Sequence, residues 1–122
     1  MTAKEYLDDH GISEATAELF GLTWDDNSLN IPVKDADGED LFIKSRNLTG
    51  DGPKYKNSVG STATLFNLHA VLKSDSIIVT EGEVDTIKLV QEGFSAVSST
   101  GGANTFPDHF VEHLKDKKLW IV

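Results

Sequence analysis

The sequence predicts an α/β protein, an α+β N-terminal lobe over residues 1–72 followed by a partial βαβαβ parallel sheet over residues 73–122. Three observations predict this. First, the β-branched run Ile77-Ile78-Val79 ends in Glu81-Gly82, and an apolar repeat at helical spacing (Val84, Ile87, Leu89-Val90) opens at once. Second, two more short strand-like runs, 95–99 and 118–122, follow with a helix-length segment between them. Third, residues 29–33 and 40–48 flank the turn signal Asp35-Ala36-Asp37-Gly38, which suits the positive dihedrals of a hairpin.

From the N-terminus, residues 3–9 predict a short helix closed by His10-Gly11. Ser13 is the expected N-cap of a second helix, with Glu14 in its first turn, an apolar stripe of Ala15, Leu19 and Phe20, and Gly21 as its stop. This helical hairpin is expected to pack on the sheet. Pro32 marks the strand 29–33 as an edge or a bulge. In the return strand, Leu41, Ile43, Ser45 and Asn47 take one face, and Phe42, Lys44, Arg46 and Leu48 the other. Two cations side by side on a strand repel unless an anion lies between them. A phosphate backbone suits the pair, and a solvated sheet face is the plain alternative. After the loop 49–53, Lys54-Tyr55-Lys56-Asn57 brings charge, an aromatic face and an amide into four residues, the means to meet phosphate, base and sugar. Residues 59–62 are expected as a loop, and 65–72 as a helix beneath the sheet.

The unit that follows has strand 76–80, helix 84–92 with Gly93 as its stop, strand 95–99, the glycine-rich loop 100–104, a helix from Pro107 to about Asp116, and strand 118–122. Glu81 therefore falls at the carboxyl end of a parallel strand, where open α/β sheets hold their ligands. Glu83 and Asp85 follow in the first helical turn. Three carboxylates in five residues suit a divalent cation, but acids also favour a helix N-terminus for its dipole alone. Gly101-Gly102 lies at the same end of the sheet, either as amides for a phosphate or as a plain turn that shapes the pocket.

Composition narrows the field. The chain has 122 residues, a net charge of −9 and no cysteine, so disulfides and cysteine-ligated zinc are excluded within it. The N-terminus lacks the form of a signal peptide and no run approaches a membrane span, so a cytoplasmic protein is expected. The overall charge argues against a general nucleic-acid binder. Its distribution matters more: residues 1–40 carry −9, residues 41–75 carry +3 and residues 76–122 carry −3. The basic middle segment owes its charge to Lys44, Arg46, Lys54, Lys56 and Lys73. His109 and His113, four apart on a helix without the zinc-protease glutamate, read as solvated or helix-end histidines.

Glu81-Gly82-Glu83-Val84-Asp85 resembles the first motif of the toprim domain of bacterial-type primases and several topoisomerases. Ile31-Pro32-Val33-Lys34-Asp35, Gly38, Ser45-Arg46-Asn47-Leu48 and Pro53-Lys54-Tyr55-Lys56-Asn57-Ser58 resemble, in order, the segment that precedes toprim in DnaG-type primases. The likeness runs from about Leu29 to Val122. It implies part of a primase of phage, plasmid or mobile-element flavour that makes RNA primers on single-stranded DNA by nucleotidyl transfer. Glu81 and Asp85 would be the catalytic and metal-binding residues, and Mg2+ the cofactor, with Mn2+ in its place. Lys44, Arg46, Lys54, Tyr55 and Asn57 would meet template or nucleotide. The implied partners are single-stranded DNA, ribonucleoside triphosphates and a replicative helicase domain or subunit. Toprim proteins carry an Asp-x-Asp pair just beyond the strand that here ends at Val122, so a fragment cut inside its toprim domain and inactive alone is expected. The alternatives are another toprim enzyme, of nuclease or topoisomerase type, and a non-catalytic nucleic-acid-binding module.

Overall fold

The computed structural model describes residues 1–25, 27–58, 63–101 and 110–122. The expected loop 59–62, the segment 102–104, Pro107 and His109 lie outside these residues. The chain forms two compact units, one of Met1–Val33 with Asp40–Ser61, the other of Lys34–Glu39 with Thr62–Val122. Among the described residues, no helix is long and apolar enough to cross a membrane.

The first unit opens with helices α1 (Ala3–Asp9) and α2 (Glu14–Leu19). Thr2 caps α1, its hydroxyl accepting the Glu5 amide at 3.1 Å while the Glu5 carboxylate accepts the Thr2 amide at 3.4 Å. Ser13 caps α2 as expected, accepting the Thr16 amide at 3.2 Å. The apolar stripe is a correction: α2 buries Thr16 and Ala17, and Leu19 stays 74 % exposed. The helix has only 6 residues, so its inner face is set by the capped first turn and by the return of the chain through buried Leu22.

Strands β1 (Thr23–Trp24), β2 (Ser28–Lys34), β3 (Asp40–Asn47) and β4 (Tyr55–Asn57) form one sheet in that order. β1 and β4, of 2 and 3 residues, are too short to show a period-2 pattern in the sequence. On β2, Leu29, Ile31 and Val33 are fully buried and alternate with half-buried Ser28, Asn30, Pro32 and Lys34, the period-2 pattern of a strand with one face on the core. The β2–β3 turn is closed by Asp35, whose carboxylate accepts the Asp37 and Glu39 amides at 2.9 and 3.0 Å, with Gly38 at φ +87°.

The second unit contains β5 (Leu65–Phe66), α3 (Leu68–Val71), β6 (Ser76–Thr80), α4 (Glu83–Gln91), β7 (Ala96–Ser99), α5 (Phe110–Leu114) and β8 (Lys118–Ile121). Its sheet has the order β5-β7-β6-β8. β6 pairs in parallel with both β7 and β8, as the βαβαβ pattern predicts. The fourth strand is a correction. Leu65 and Phe66 pair antiparallel with Ser99 and Ser98, so the expected helix 65–72 is a strand and then one helical turn. Asn67 makes the break: it sits at φ +70°, a conformation Asn tolerates, and its buried side-chain amide donates to the Ala96 carbonyl at 3.0 Å. Leu65, Leu68, Val71, Ile77, Val79, Val97 and Leu114 form the core on one face of this sheet. α4 packs on β6 and β7 and buries Val84 and Ile87.

Candidate functional site

β6 delivers the chain to the carboxyl end of the parallel sheet at Thr80, and α4 begins at Glu83. Gly82 is the N-cap in extended conformation and has no side chain to cap with. Two buried threonines hold this turn instead. The Thr80 hydroxyl donates to the Gly82 carbonyl at 2.9 Å and lies 3.0 Å from the Thr86 hydroxyl. A hydroxyl has one proton, so with the Thr80 proton on Gly82, Thr86 donates to Thr80. The Gly82 carbonyl also accepts the first helical amide of Thr86, at 3.2 Å. Thr86 is fully buried and Thr80 nearly so, which makes this relay sensitive to loss.

The turn separates the three acids. Glu81 and Asp85 are exposed, and both line a cavity of about 420 Å³ together with Thr80, Lys88, Leu89 and Val122. Glu83 is only 1 % exposed and does not line it. The three-carboxylate cluster thus reduces to a pair at positions 81 and 85. Among the described residues, no group of three or more His, Asp or Glu side chains comes together as a metal site. Lys88 brings a positive charge to the cavity wall. Its ammonium is bound to Glu92 at 2.7 Å, one helical turn on, and that hydrogen bond and charge hold the Glu92 carboxyl below its usual range. At the neighbouring strand end, the Gly101 amide donates to the Ser99 hydroxyl at 3.3 Å, a local turn contact.

In the first unit, β3 and β4 pair antiparallel, with Lys44 opposite Asn57 and Arg46 opposite Tyr55. Directly opposed residues share a face, so these four side chains stand together. The face is half-buried rather than solvated. Lys44 is 6 % exposed, with its ammonium 4.6 Å from the centre of the Tyr55 ring. The Arg46 guanidinium lies 5.2 Å from the Tyr55 ring and 5.5 Å from the Tyr6 ring, and it donates to the Asn47 carbonyl at 3.1 Å. The plain alternative of two solvated cations is thereby excluded. Lys54, Lys56 and Asn57 are exposed, and the Lys54 carbonyl is fixed by the Asn47 amide at 2.8 Å. The Asn47 side chain knots the 49–53 loop by accepting from the Thr49 amide and donating to the Asp51 carbonyl.

Sequence reasoning missed Tyr6, which brings α1 into this basic face, and Thr80 and Thr86, which hold the acidic turn. For the threonines a signal was present, because they flank Glu81-Gly82 on a strand and a helix that must meet. For Tyr6 there was none, since a 40-residue separation from Arg46 has no local trace.

No family model matches the sequence. It is similar to curated DNA primases: 39 % identical over 85 residues to that of Synechococcus elongatus, 37 % over 93 to that of Legionella pneumophila and 33 % over 92 to that of Staphylococcus aureus. The matches cover 62 to 68 % of this chain but only 12 to 16 % of the relatives' own length. Among solved structures, a DNA primase domain from Pseudomonas aeruginosa superposes with a TM-score of 0.79 at 24 % identity, over 98 % of this chain and 53 % of that one. The zinc-binding and RNA polymerase domains of Aquifex aeolicus primase give 0.79 at 22 % identity, over 98 % of this chain and 42 % of that one. A DnaG primase catalytic domain bound to single-stranded DNA gives 0.74 at 21 % identity, over 98 % and 54 %. The chain has the fold of part of a primase catalytic core.

Proposed function

We propose that these residues are part of the catalytic core of a DnaG-like, toprim-type DNA primase, a nucleotidyltransferase that makes short RNA primers on single-stranded DNA in the cytoplasm. One observation carries the reading: Glu81 and Asp85 face a single open cavity at the carboxyl end of β6, in a chain with the fold of a primase core. In the proposed reaction a primer 3′-hydroxyl attacks the α-phosphate of a ribonucleoside triphosphate and pyrophosphate leaves. Magnesium binds through one or two carboxylates with substrate phosphates and water as further ligands, and two exposed carboxylates on an open cavity fit that habit. Mg2+, or Mn2+ in its place, would stabilise the attacking and leaving oxygens. Glu81 would hold it or accept the hydroxyl proton, with Asp85 in support.

Template contact falls to the β3–β4 face and its rim. Arg46 and exposed Lys54 would meet phosphates, Asn57 a base or sugar, and Tyr55 a base. Lys44, buried against Tyr55, would hold that ring in place while adding to the positive field. The DnaG domain solved with single-stranded DNA supports a DNA template, and a replicative helicase is the further partner expected of such an enzyme. The test is primer synthesis on single-stranded DNA with Mg2+ by the full polypeptide that carries these 122 residues. Wild type should extend primers and Glu81→Gln should lose at least about a hundredfold in rate, the usual scale for removing one electrostatic stabiliser of such a reaction. Equal synthesis by Glu81→Gln, or none by wild type, would reject the reading.

A further inference from the structure

The first unit carries a second cavity that the proposed reaction does not use. It measures about 350 Å³ and lies between α1, α2 and β1. Its floor is apolar, made by Leu7, Ile12, Ala17 and Leu22, and the half-exposed indole of Trp24 forms one wall. Asp8, Glu14 and Glu18 stand around it against, among the described residues, the one cation Lys4. This imbalance belongs to a strongly acidic segment, since residues 1–40 carry a net charge of −9. A nucleic acid is repelled from such a surface. A volume at the low end of ligand pockets, an apolar floor and an aromatic wall suit one or two bulky apolar side chains.

We infer that this groove docks a basic amphipathic peptide segment of a partner protein, its apolar side chains on Leu7, Ile12 and Trp24 and its lysines or arginines against Asp8, Glu14 and Glu18. Charge complementarity selects the occupant. The groove's own acids disfavour a second copy of this acidic chain, and the chain's own Lys44, Arg46, Lys54 and Lys56 are committed to β3, β4 and the loop between them. The inference stands apart from the primase reading, because no residue of the groove belongs to the acidic turn or to the basic face.

The experiment is isothermal titration of the 122-residue chain with a synthetic 14-residue leucine–lysine amphipathic peptide and with its leucine–glutamate counterpart. Three proteins join the wild type. Asp8→Lys with Glu18→Lys reverses two groove charges near helix C-terminal ends, where a cation suits the dipole and folding is not threatened. Trp24→Ala removes the wall. Glu39→Lys with Asp51→Lys makes the same net charge change at exposed sites that do not line the groove. The expected result is binding of the lysine peptide alone, weakened at least about tenfold by the groove pair and by Trp24→Ala, and less than about twofold by the control pair. No binding, binding of the glutamate peptide, or equal weakening by both charge pairs would each overturn the inference.

Discussion

Thr80→Val tests how the acidic turn is held. Valine matches threonine in shape and suits a strand, so packing is kept while the hydroxyl is lost. The substitution removes the 2.9 Å bond to the Gly82 carbonyl and the 3.0 Å contact with Thr86. Each bond contributes about 0.5–1.5 kcal/mol net. Part of the loss is recovered, because the Thr86 hydroxyl already lies 3.4 Å from the same carbonyl and can turn to it. The Gly82 carbonyl also keeps the Thr86 amide. The balance is a loss of about 1–2 kcal/mol, roughly 1 M in urea midpoint at the usual slope for a small protein. Trp120 on β8, paired beside β6, reports the second unit in a Trp24→Phe background. Thr86→Val breaks only one end of the relay and should cost less, and the double variant should cost less than the two singles added. A midpoint for Thr80→Val equal to wild type, or strict additivity of the two, would refute the relay.

Other expectations follow from single contacts. Arg46→Gln should flatten the salt dependence of single-stranded DNA binding by roughly 0.7 in log–log slope, one phosphate, whereas Tyr6→Phe should weaken binding without changing the slope; an unchanged slope for Arg46→Gln would remove that residue from the phosphate track. Asn67→Ala should destabilise the chain by about 1–3 kcal/mol through lost αL tolerance and the lost bond to Ala96, and Asn67→Gly should recover part of it, as chemical denaturation will read. Partial desolvation, with Lys34 next, lowers the His69 pKa below its ordinary 6.5 despite the opposing pull of Asp35. The unfolded chain then binds the proton more readily, so stability should fall as pH drops through the ordinary histidine range and below it. His69→Gln should flatten that slope in urea midpoints measured between pH 7 and 5; an identical slope in the variant would contradict it.

Strong local periodicity made much of the fold legible. The β-branched run at 76–80 and the helical repeat after Gly82 fixed β6 and α4 almost to the residue, and the turn signal at 35–38 fixed the hairpin. Glu81 and Asp85 were readable for the same reason, because a parallel strand end and a first helical turn bring them to one place. Glu83 was not. The acids two residues to either side, Glu81 and Asp85, are exposed, and only the packing of α4 decides that Glu83 goes inward. Strand β5 was hidden because Leu65, Leu68 and Val71 fit a helical period equally well; the αL conformation of one asparagine decided otherwise. The stripe of α2 failed because six residues are too few for periodicity to set a phase. The alternation on β3 correctly paired Lys44 with Arg46. Their burial against Tyr55 and Tyr6 is a tertiary fact that no spacing reveals.

The most direct test of the central claim is Mn2+ titration of the isotopically labelled chain, read as paramagnetic broadening of backbone amides. The acid-rich segment 1–40 is an internal competitor, since its net charge of −9 attracts any cation. If Glu81 and Asp85 form the metal site, amides of residues 80–88 broaden first, and Glu81→Gln with Asp85→Asn abolishes that broadening while leaving residues 1–40 unchanged. Broadening that begins in residues 1–40, or that persists at residues 80–88 in the double variant, would contradict the assignment of the metal to this turn.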